Sequence, residues 1–280
     1  MMIIALFANT TKPQYQDLVL GVIEFFTNHR AIIVMEDEQA QEFNTKKLSD
    51  FNPIEIHCMI SMGGDGTILR LVHKYSHITA PILGINLGHL GFMADIPLSD
   101  IYPSLLDLLH GDYSVYDRLM IDGESAENQS CFAVNDIVIH RARNPSLIEL
   151  AIYVDGLYVN TFEADGVIVS TPNGSTAYSL AAGGPILSPD LEAIVLTPIS
   201  AHTISNRPIV LTANQEIQIQ YLSEYEPVEV RADGLDQFFL KTGEIFKISR
   251  SQKTFRLISL HRRDYFSTLR SKLGWSGKLR

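Results

Sequence analysis

Short apolar runs alternate with helically spaced apolar residues in the first part of the chain. The runs are rich in Ile, Val, Leu and Met, which is typical of buried strands. Between Leu18 and Phe26 the apolar residues recur at helical spacing, which predicts a helix with one face on a core. This alternation predicts a mainly parallel sheet covered by helices. The predicted strands are residues 3–8, 31–35, 57–62 and 81–85, and the predicted helices lie around residues 18–26, 68–75 and 101–109.

The pattern changes after about residue 112. Residues 216–221 alternate polar and apolar side chains with a period of two, as in a strand with one buried face. Turn signals at Asp155-Gly156 and Asp233-Gly234 separate short apolar segments. We therefore predict that the second part of the chain is all-β. Its other predicted strands are residues 115–121, 132–140, 147–154, 158–162, 167–170, 228–232 and 255–260.

Composition and charge narrow the class of protein. No apolar run among the 280 residues approaches the roughly 20 that a helix needs to cross a bilayer, and the amino terminus does not resemble a signal peptide. The net charge of −10 argues against general nucleic-acid binding, because it repels phosphate backbones. Two cysteines exclude a disulfide framework and fit a reducing compartment. We expect a cytoplasmic protein that binds neither nucleic acid nor membranes.

The carboxy-terminal stretch has the opposite charge. Residues 247–280 contain ten Lys and Arg but only one acidic residue, Asp264. A solvated basic tail is the simpler interpretation, but Tyr265, Leu269 and Trp275 make the stretch too apolar for a free tail. We therefore expect an ordered segment that docks on an acidic surface of the same chain or of a partner subunit.

The most informative motif is Gly63-Gly64-Asp65-Gly66-Thr67, which lies between a predicted strand and a predicted helix. Glycines in such a turn let backbone N–H groups approach a phosphate at the positive end of the helix dipole. Asp65 would repel a bare phosphate, so it better suits a base for a hydroxyl or a ligand for a cation that bridges phosphates. A tight turn capped by Asp65 is the structural alternative. The sequence has no Walker A loop, and the motif lacks the third glycine of the dinucleotide fingerprint.

A polar loop rich in hydroxyl groups follows the strand predicted at residues 167–170. Residues 165–179 read DGVIVSTPNGSTAYS and supply many short hydrogen-bonding groups and one aromatic ring, that of Tyr178. This combination suits an adenine or nicotinamide ring with its riboses. A strand-to-helix corner with Ser and Thr caps is the alternative. Ser175 lacks the G-x-S-x-G frame of a nucleophile elbow.

Asn135-Asp136 interrupts the apolar strand predicted at residues 132–140. Buried polar side chains need partners or cost about 1–3 kcal/mol each, and an amide there can pair with the edge of an adenine. An edge strand that faces water is the commoner explanation. The nine histidines show no metal-ligand spacing, so we predict no protein metal site. His89 could line a site, although a loop histidine is more often structural.

Taken together, these stretches resemble the NAD kinase family. The G-G-D-G-T element alone is shared with lipid kinases and is similar to that of phosphofructokinases, whereas the T-P-x-G-S-T-A-Y-S run is much more specific. The matching pieces follow the family's order over nearly the whole chain: Gly63–Thr67, Asn86–Phe92, Asn135-Asp136, Asp165-Gly166, Ser170–Ser179 and Leu269–Trp275.

The resemblance implies a two-domain fold. An amino-terminal Rossmann-like α/β domain would cover residues 1–112, and a β-sandwich-like, NAD-binding domain would cover residues 113–260. Residues 261–280 would return to pack on the first domain, which gives the basic segment a place to dock. The resemblance also implies a homo-oligomer, a dimer or a tetramer built from dimers, with sites near subunit contacts.

The implied reaction transfers the γ-phosphoryl group of ATP to the 2′-hydroxyl of the adenosine ribose of NAD⁺, giving ADP and NADP⁺. By this resemblance, Asp65 is the proton acceptor for that hydroxyl, Gly66 contacts the dinucleotide phosphates and Arg70 supports the phosphates. Mg²⁺ is expected to bridge ATP oxygens and to keep most of its water, so a dedicated protein cage is not expected.

On the dinucleotide side, the resemblance assigns Asn135 and Asp136 to an adenosine ribose or an adenine edge. It assigns Asp165 to the other end of NAD⁺, on the same or a neighbouring subunit. The remaining members form a wall for a ring, with the tyrosine as its aromatic member: Asn173, Thr176, Ala177, Tyr178, Ser179, Leu180 and Ala181.

Two departures from the family's pattern bear on individual contacts. Many relatives carry a basic residue where this chain has Glu163, and a glutamine is often expected where it has Leu235. Two alternatives to an NAD kinase remain open. One is a lipid or sugar kinase of the same superfamily, and the other is a non-catalytic dinucleotide sensor.

Overall fold

The chain folds into two compact units. The structure, a computed structural model, describes residues 1–9, 15–88, 90–202, 206–275 and 277. One unit contains Met1–Asp117 together with the chain from Arg256 onward, and the other contains Arg118–Phe255. None of the helices in these described residues is long and apolar enough to cross a membrane.

The first unit is built on a parallel sheet. Its strands are β1 (Ile3–Ala8), β2 (Ile32–Met35), β3 (Lys46–Lys47), β4 (Cys58–Gly63) and β5 (Ile82–Asn86), and they lie in the order β5-β4-β1-β2-β3. Every neighbouring pair among them is parallel. Because strands buried on both faces need no polar side, β4 consists of buried residues throughout. The helices are α1 (Gln16–Asn28), α2 (Asp37–Glu42), α3 (Asp65–Lys74) and α4 (Ile101–His110).

Two helices of this unit bury their apolar faces in one hydrophobic cluster with the sheet. Helix α1 contributes Val19, Val22 and Phe26, and α4 contributes residues such as Leu105. Helix α3 follows directly on β4 and buries Ile68, Leu69 and Leu71. The connection between β4 and α3 is the Gly-rich turn, so the fold places this turn at the carboxyl edge of the sheet.

The second unit is all-β apart from one short helix. Its first sheet has the order β10-β9-β14-β17, with β6 and β7 joined through β17, and its second has the order β13-β12-β11-β8-β15-β16. Apolar side chains of both sheets share one hydrophobic core, for example Ile152 of one and Val167 of the other. The α/β plus all-β fold class predicted from the sequence is therefore confirmed. The strands are β6 (Tyr113–Ser125), β7 (Ser130–Ala133), β8 (Asp136–His140), β9 (Ile148–Val154), β10 (Leu157–Ala164), β11 (Gly166–Ser170), β12 (Ala193–Ile199), β13 (Ile209–Thr212), β14 (Ile217–Tyr221), β15 (Val228–Ala232), β16 (Asp236–Leu240) and β17 (Ile245–Leu260), and the helix is α5 (Tyr178–Ala181).

The single strand predicted over residues 132–140 is wrong. Strand β7 ends at Ala133 and β8 begins at Asp136, so Val134 and Asn135 form an irregular break. The edge-strand explanation is also wrong, because β8 is paired on both sides, with β11 and with β15. The polar pair therefore lies at the start of an interior strand, where its side chains need partners within the protein.

The basic carboxy-terminal segment forms the last helix, α6 (Tyr265–Leu273). Asp264 caps it by accepting the backbone N–H of Ser267 at 2.9 Å, and Gly274 ends it with a φ of +65°. Leu269 lies on the buried face of this helix. Just before it, Arg262 and Arg263 form ion pairs with Asp107 and Asp100, which belong to the same unit.

Candidate functional site

Asp65 is the first residue of α3, yet its carboxylate does not cap that helix. The N-cap is Gly64, and no side chain caps it. Instead, Asp65 Oδ2 accepts the N–H of Phe92 at 2.8 Å, and Oδ1 accepts those of Met93 and Ala94 at 3.1 and 2.8 Å. The alternative of a turn capped by its own aspartate is therefore wrong. The three donors fix the orientation of this half-buried carboxylate. Among the described residues, Oδ2 accepts only the N–H of Phe92, so its second lone pair can accept another hydrogen bond.

The loop that holds Asp65 is itself anchored to the sheet. Buried Asn86, at the end of β5, donates to the carbonyl oxygen of Ala94 at 3.2 Å and accepts the N–H of Gly88 at 2.6 Å. Gly91 packs against the aspartate so closely that a Cβ there would lie 2.0 Å from Asp65 Oδ1. Any larger residue at position 91 would therefore displace the carboxylate. His89, which the sequence suggested as a lining residue, lies outside the described residues.

The Gly-rich turn leaves open space in front of its backbone. A Cβ at Gly64 would meet no atom within 4 Å, and one at Gly66 would meet only Arg70 Nη1 at 4.0 Å. These two glycines are thus not required by packing inside the protein. Arg70 is exposed on the next turn of α3, with Nη2 3.4 Å from Thr67 Oγ1. The open backbone, the helix amino terminus and the guanidinium suit a phosphate group.

Asp95 is a feature of this site that the sequence did not reveal. It follows the loop that holds Asp65, and burial raises the pKa of its carboxyl to about 6. The positive charge of Arg263 opposes this shift, and the Asp65 carboxylate adds to it. The guanidinium of Arg263 also pairs with Asp100. One arginine of the basic segment thus partly neutralises the acidic surroundings of the Asp65 site.

The second unit contains a cavity of about 560 Å³ in which five of the predicted residues meet. Asn135 and Asp136 enter at the start of β8, Asp165 immediately before β11, and Ala177 and Tyr178 at the start of α5. A volume of this size is typical of a small-molecule site. The full lining is Asn135, Asp136, Val138, His140, Arg141, Ala142, Asp165, Ala177, Tyr178, Ile199, Arg231, Asp233 and Gly234.

One carboxylate that lines this cavity is held in the same way as the Asp65 carboxylate, by three backbone N–H groups. Asp233 accepts the backbone N–H groups of Val134, Asn135 and Asp136 at 2.8, 2.7 and 3.2 Å. These bonds satisfy the break between β7 and β8. In the sequence, Asp233-Gly234 is only a turn signal, because nothing local indicates that the Asp233 carboxylate holds a loop about a hundred residues earlier.

Charges in the cavity are largely compensated by pairing. Asp165 Oδ1 lies 2.7 Å from Arg141 Nε, and Glu229 Oε2 lies 2.9 Å from His140 Nε2. Burial lowers the pKa of His140, although Glu229 acts in the opposite direction. Burial, and then the neighbouring Asp233 carboxylate, raises the pKa of Asp136 to about 7. Near neutral pH, Asp136 is therefore able to donate a hydrogen bond as well as to accept one.

Replacing Asp136 by Asn should stabilise the fold more at pH 8 than at pH 5. Its folded pKa of about 7 lies above the ordinary value of 3.8, so the folded chain keeps a proton that the unfolded chain releases. Wild-type stability therefore falls as the pH rises from about 4 to about 7, and the asparagine removes this loss. Thermal unfolding across this range, with exposed Asp112→Asn as control, measures it. An equal Tm difference at pH 5 and pH 8 would contradict the assignment.

The remaining residues of the predicted ring-binding wall are not among those that line the cavity. Asn173 Nδ2 donates to Asn135 Oδ1 at 2.8 Å, and Thr176 Oγ1 donates to the Asn173 carbonyl oxygen at 3.2 Å. Ser179 is fully buried and shares a hydrogen bond of 3.0 Å with Thr197. Leu180 and Ala181 follow in α5. These contacts fix the loop that presents Tyr178, a residue that is 47% exposed.

The two departures from the family's pattern lie outside the cavity lining. Glu163 is exposed on β10, and its carbonyl oxygen accepts the N–H of His202 at 2.9 Å. Leu235 is 40% exposed in the turn after Gly234. Among the described residues, no group of three or more His, Cys, Asp or Glu side chains is placed to hold a metal ion.

Comparisons with known proteins agree over the whole chain. Residues 4–113 match the family model of the ATP-NAD kinase N-terminal domain, and residues 134–260 match that of the ATP-NAD kinase C-terminal domain. The chain is 58% identical over 277 residues to an NAD kinase of Protochlamydia amoebophila, with 99% of each chain covered. It is 36% identical to an NAD kinase of Moorella thermoacetica, covering 98% of this chain and 90% of that one.

Two solved structures share the fold. A yeast NADH kinase complexed with NADH superposes with a TM-score of 0.84 at 25% identity, covering 100% of this chain and 89% of the other. An NAD kinase from Archaeoglobus fulgidus in complex with ATP gives a TM-score of 0.80 at 25% identity, covering 99% and 100%. With both family models matched and a full-length relative at 58% identity, this chain belongs to the NAD kinase family.

Proposed function

We propose that the chain transfers the γ-phosphoryl group of ATP to the 2′-hydroxyl of the adenosine ribose of NAD⁺, giving ADP and NADP⁺. NAD kinase activity follows from membership of the family. The observation that carries the residue-level proposal is the geometry of Asp65. Three backbone donors orient its carboxylate beside the open backbone of Gly64 and Gly66, and one acceptor position remains on Oδ2.

In this proposal the oxygen of the ribose 2′-hydroxyl forms a bond to the γ-phosphorus, and the bond between the γ-phosphorus and ADP breaks. Asp65 Oδ2 accepts the proton that the 2′-hydroxyl loses. Phosphoryl transfer depends mainly on alignment and charge neutralisation. Gly66 N–H, at the start of α3, and Arg70 face the phosphates, which carry the charge that needs neutralising. A well-placed general base contributes about 10²–10⁴-fold in rate. Fixing the carboxylate through three donors removes the need to reorient it during the reaction.

The cavity of the second unit is the proposed site for NAD⁺. Asn135 and Asp136 would hold the adenine edge or a ribose hydroxyl, and Asp165 would hold the other end of the dinucleotide. Tyr178 offers an exposed ring face for stacking. The loop members Asn173, Thr176, Ala177, Ser179, Leu180 and Ala181 would present that ring. A solved structure with this fold, a yeast NADH kinase, is complexed with NADH, which supports the binding of a dinucleotide by the fold.

Further features of the proposal concern the assembly and the donor. The donor would be ATP with its Mg²⁺, a cation that binds phosphate oxygens and gives up its waters reluctantly. The two compact units would serve as the two domains, and the chain would act as a homodimer or homotetramer in the cytoplasm, where it would make NADP⁺.

Purified protein given MgATP and NAD⁺ should form NADP⁺, detected with an NADP-specific dehydrogenase. Formation should require both substrates, and chelation of Mg²⁺ should stop it. Measurable NAD⁺ binding without product would contradict the proposal and favour a dinucleotide sensor. Phosphorylation of a lipid or a sugar in place of NAD⁺ would favour another kinase of the superfamily.

A further inference from the structure

A pair of adjoining cavities in the first unit is not used by the acceptor assignments above. One, of about 440 Å³, lies between Ala8 and Asn9 at the end of β1, Glu36 after β2, and Arg70 and Lys74 on α3. The other, of about 540 Å³, shares three lining residues with the first and extends to aromatic side chains. The shared residues are Glu36, Lys74 and Tyr75. Either volume is in the range of small-molecule sites.

The topology of the sheet makes this location a natural nucleotide site. The strand order β5-β4-β1-β2-β3 reverses between β1 and β4, because the chain runs outward from β1 to β3 and then returns to β4. In open parallel sheets, ligands bind at the carboxyl ends of the strands beside such a reversal. An acidic residue at the end of the second strand commonly accepts hydrogen bonds from ribose hydroxyls in these folds. Glu36 directly follows β2.

The Glu36 carboxylate is oriented so that it can accept hydrogen bonds from ribose hydroxyls. Its Oε1 accepts Lys74 Nζ at 2.9 Å and the Tyr75 hydroxyl at 2.8 Å, whereas Oε2 accepts no hydrogen bond from any described residue. Burial, and then the bond to Glu36, raises the pKa of the Tyr75 hydroxyl, so it remains a donor. The Glu36 side chain is 31% exposed, which leaves it reachable by a ligand.

We propose, building on the kinase function above, that these cavities form the subsite for the phosphoryl donor, a nucleoside triphosphate whose ribose hydroxyls bind Glu36. Arg70 and Lys74 are four residues apart and therefore lie on one face of α3, where they face the triphosphate. The base occupies the second cavity, where Phe51 and His77 supply flat surfaces and Glu38 can accept from an exocyclic amine. The γ-phosphoryl group then points toward the open turn at Gly64.

The test combines a change in the protein with a change in the ligand. Glu36→Ala should weaken binding of MgATP about 10-fold or more, since hydrogen bonds to a charged acceptor are among the stronger ones. On the wild type, 2′,3′-dideoxy-ATP should bind correspondingly more weakly than ATP. On Glu36→Ala, the two nucleotides should bind alike, because the partner of the missing hydroxyls is gone. Glu42→Gln, on the exposed end of α2, is the matched control and should retain the discrimination.

Binding is measured by calorimetry with Mg²⁺ and non-hydrolysable forms of both nucleotides, so the result does not depend on turnover. A failure of the kinase function would appear as absent NADP⁺ formation, and the binding data would still decide on the subsite. KM for NAD⁺ should stay within about twofold of the wild type. If Glu36→Ala unfolds, Glu36→Gln replaces it and should reduce the discrimination. Unchanged discrimination in a folded variant, or a rise in KM for NAD⁺ instead of ATP, would overturn the proposal.

Discussion

Asp65→Asn should lose turnover by about 10²–10⁴-fold while its Kd for NAD⁺ stays close to that of the wild type. The expected loss is the usual contribution of a positioned general base, because an amide cannot take the proton of the ribose hydroxyl. The measurement is kcat at saturating MgATP and NAD⁺, with the Kd for NAD⁺ from calorimetry. Near-normal turnover in a folded variant would show that Asp65 is not the base.

The structure adds a second consequence to this substitution. The wild-type carboxylate accepts from Phe92, Met93 and Ala94, whereas an amide can present its oxygen to only part of that group. If the oxygen faces Met93 and Ala94, the amide NH₂ meets the N–H of Phe92 and leaves it unpaired. An unpaired donor costs about 1–3 kcal/mol when it is fully buried, and the part-buried N–H of Phe92 sets the cost at or below the lower end of that range. The variant should therefore have a lower Tm as well as a lower kcat.

Asn86→Ala separates the two effects. Asn86 anchors the same loop through Gly88 N–H and the carbonyl oxygen of Ala94, whereas Asp65 is oriented by the N–H groups of Phe92, Met93 and Ala94. Its removal should lower the Tm to a similar extent but reduce kcat far less than Asp65→Asn does. Equal losses of kcat in both variants would mean that Asp65 acts only by holding the loop.

The sequence predicted features whose cause is local. Apolar periodicity located β1, α1, β4 and α3, because each buries a face defined by its own spacing. Glycine chemistry likewise pointed to the turn that carries Asp65, where the structure has open backbone. Strand β12 was not predicted, and Pro198 within it argues against a central strand; its pairing with β13 covers only Ala193–Leu196, so Pro198 pairs with β11 alone.

The partners of the site residues could not be predicted from the sequence. Asp65 is held by a loop that begins about 27 residues later, and the break at Asn135 is held by Asp233, about a hundred residues later. Arg141, just after β8, pairs with Asp165, just before the neighbouring strand β11. Such contacts depend on strand order and register, which no local pattern specifies. Residue types therefore indicated the chemistry, whereas only the tertiary structure identified what orients each group.

Ending the chain after Asp264 should lower both the Tm and the turnover. Helix α6 buries Leu269 and Thr268, and losing a buried leucine side chain alone typically costs about 2–5 kcal/mol. For a chain of this size, we expect a fall in Tm of roughly 5 °C or more. Differential scanning calorimetry and the elution volume in size-exclusion chromatography measure the stability and the oligomeric state.

The expected loss of turnover has a physical cause that is separate from the loss of stability. Within the first unit, the ring of Tyr265 lies 6.2 Å from that of Phe92, and Lys272 Nζ lies 5.7 Å from the Phe92 ring centroid. The N–H of Phe92 is one of the three that orient Asp65. Without α6 the Phe92 side chain loses both contacts, so the loop holds the carboxylate less firmly. The kcat of the truncated protein should therefore fall even at temperatures where it remains folded.

Two single substitutions on α6 test whether packing is the cause. Leu269→Ala removes a side chain that is 4% exposed, and Phe266→Ala removes one that is 61% exposed. The first should reproduce much of the loss of Tm, whereas the second should leave the Tm within about 1 °C of the wild type, as surface substitutions usually do. An unchanged melting curve and elution volume after truncation would instead mean that the basic segment contributes no packing. In that case the ion pairs of Arg262 and Arg263, which the truncation retains, would hold the end of the chain on their own.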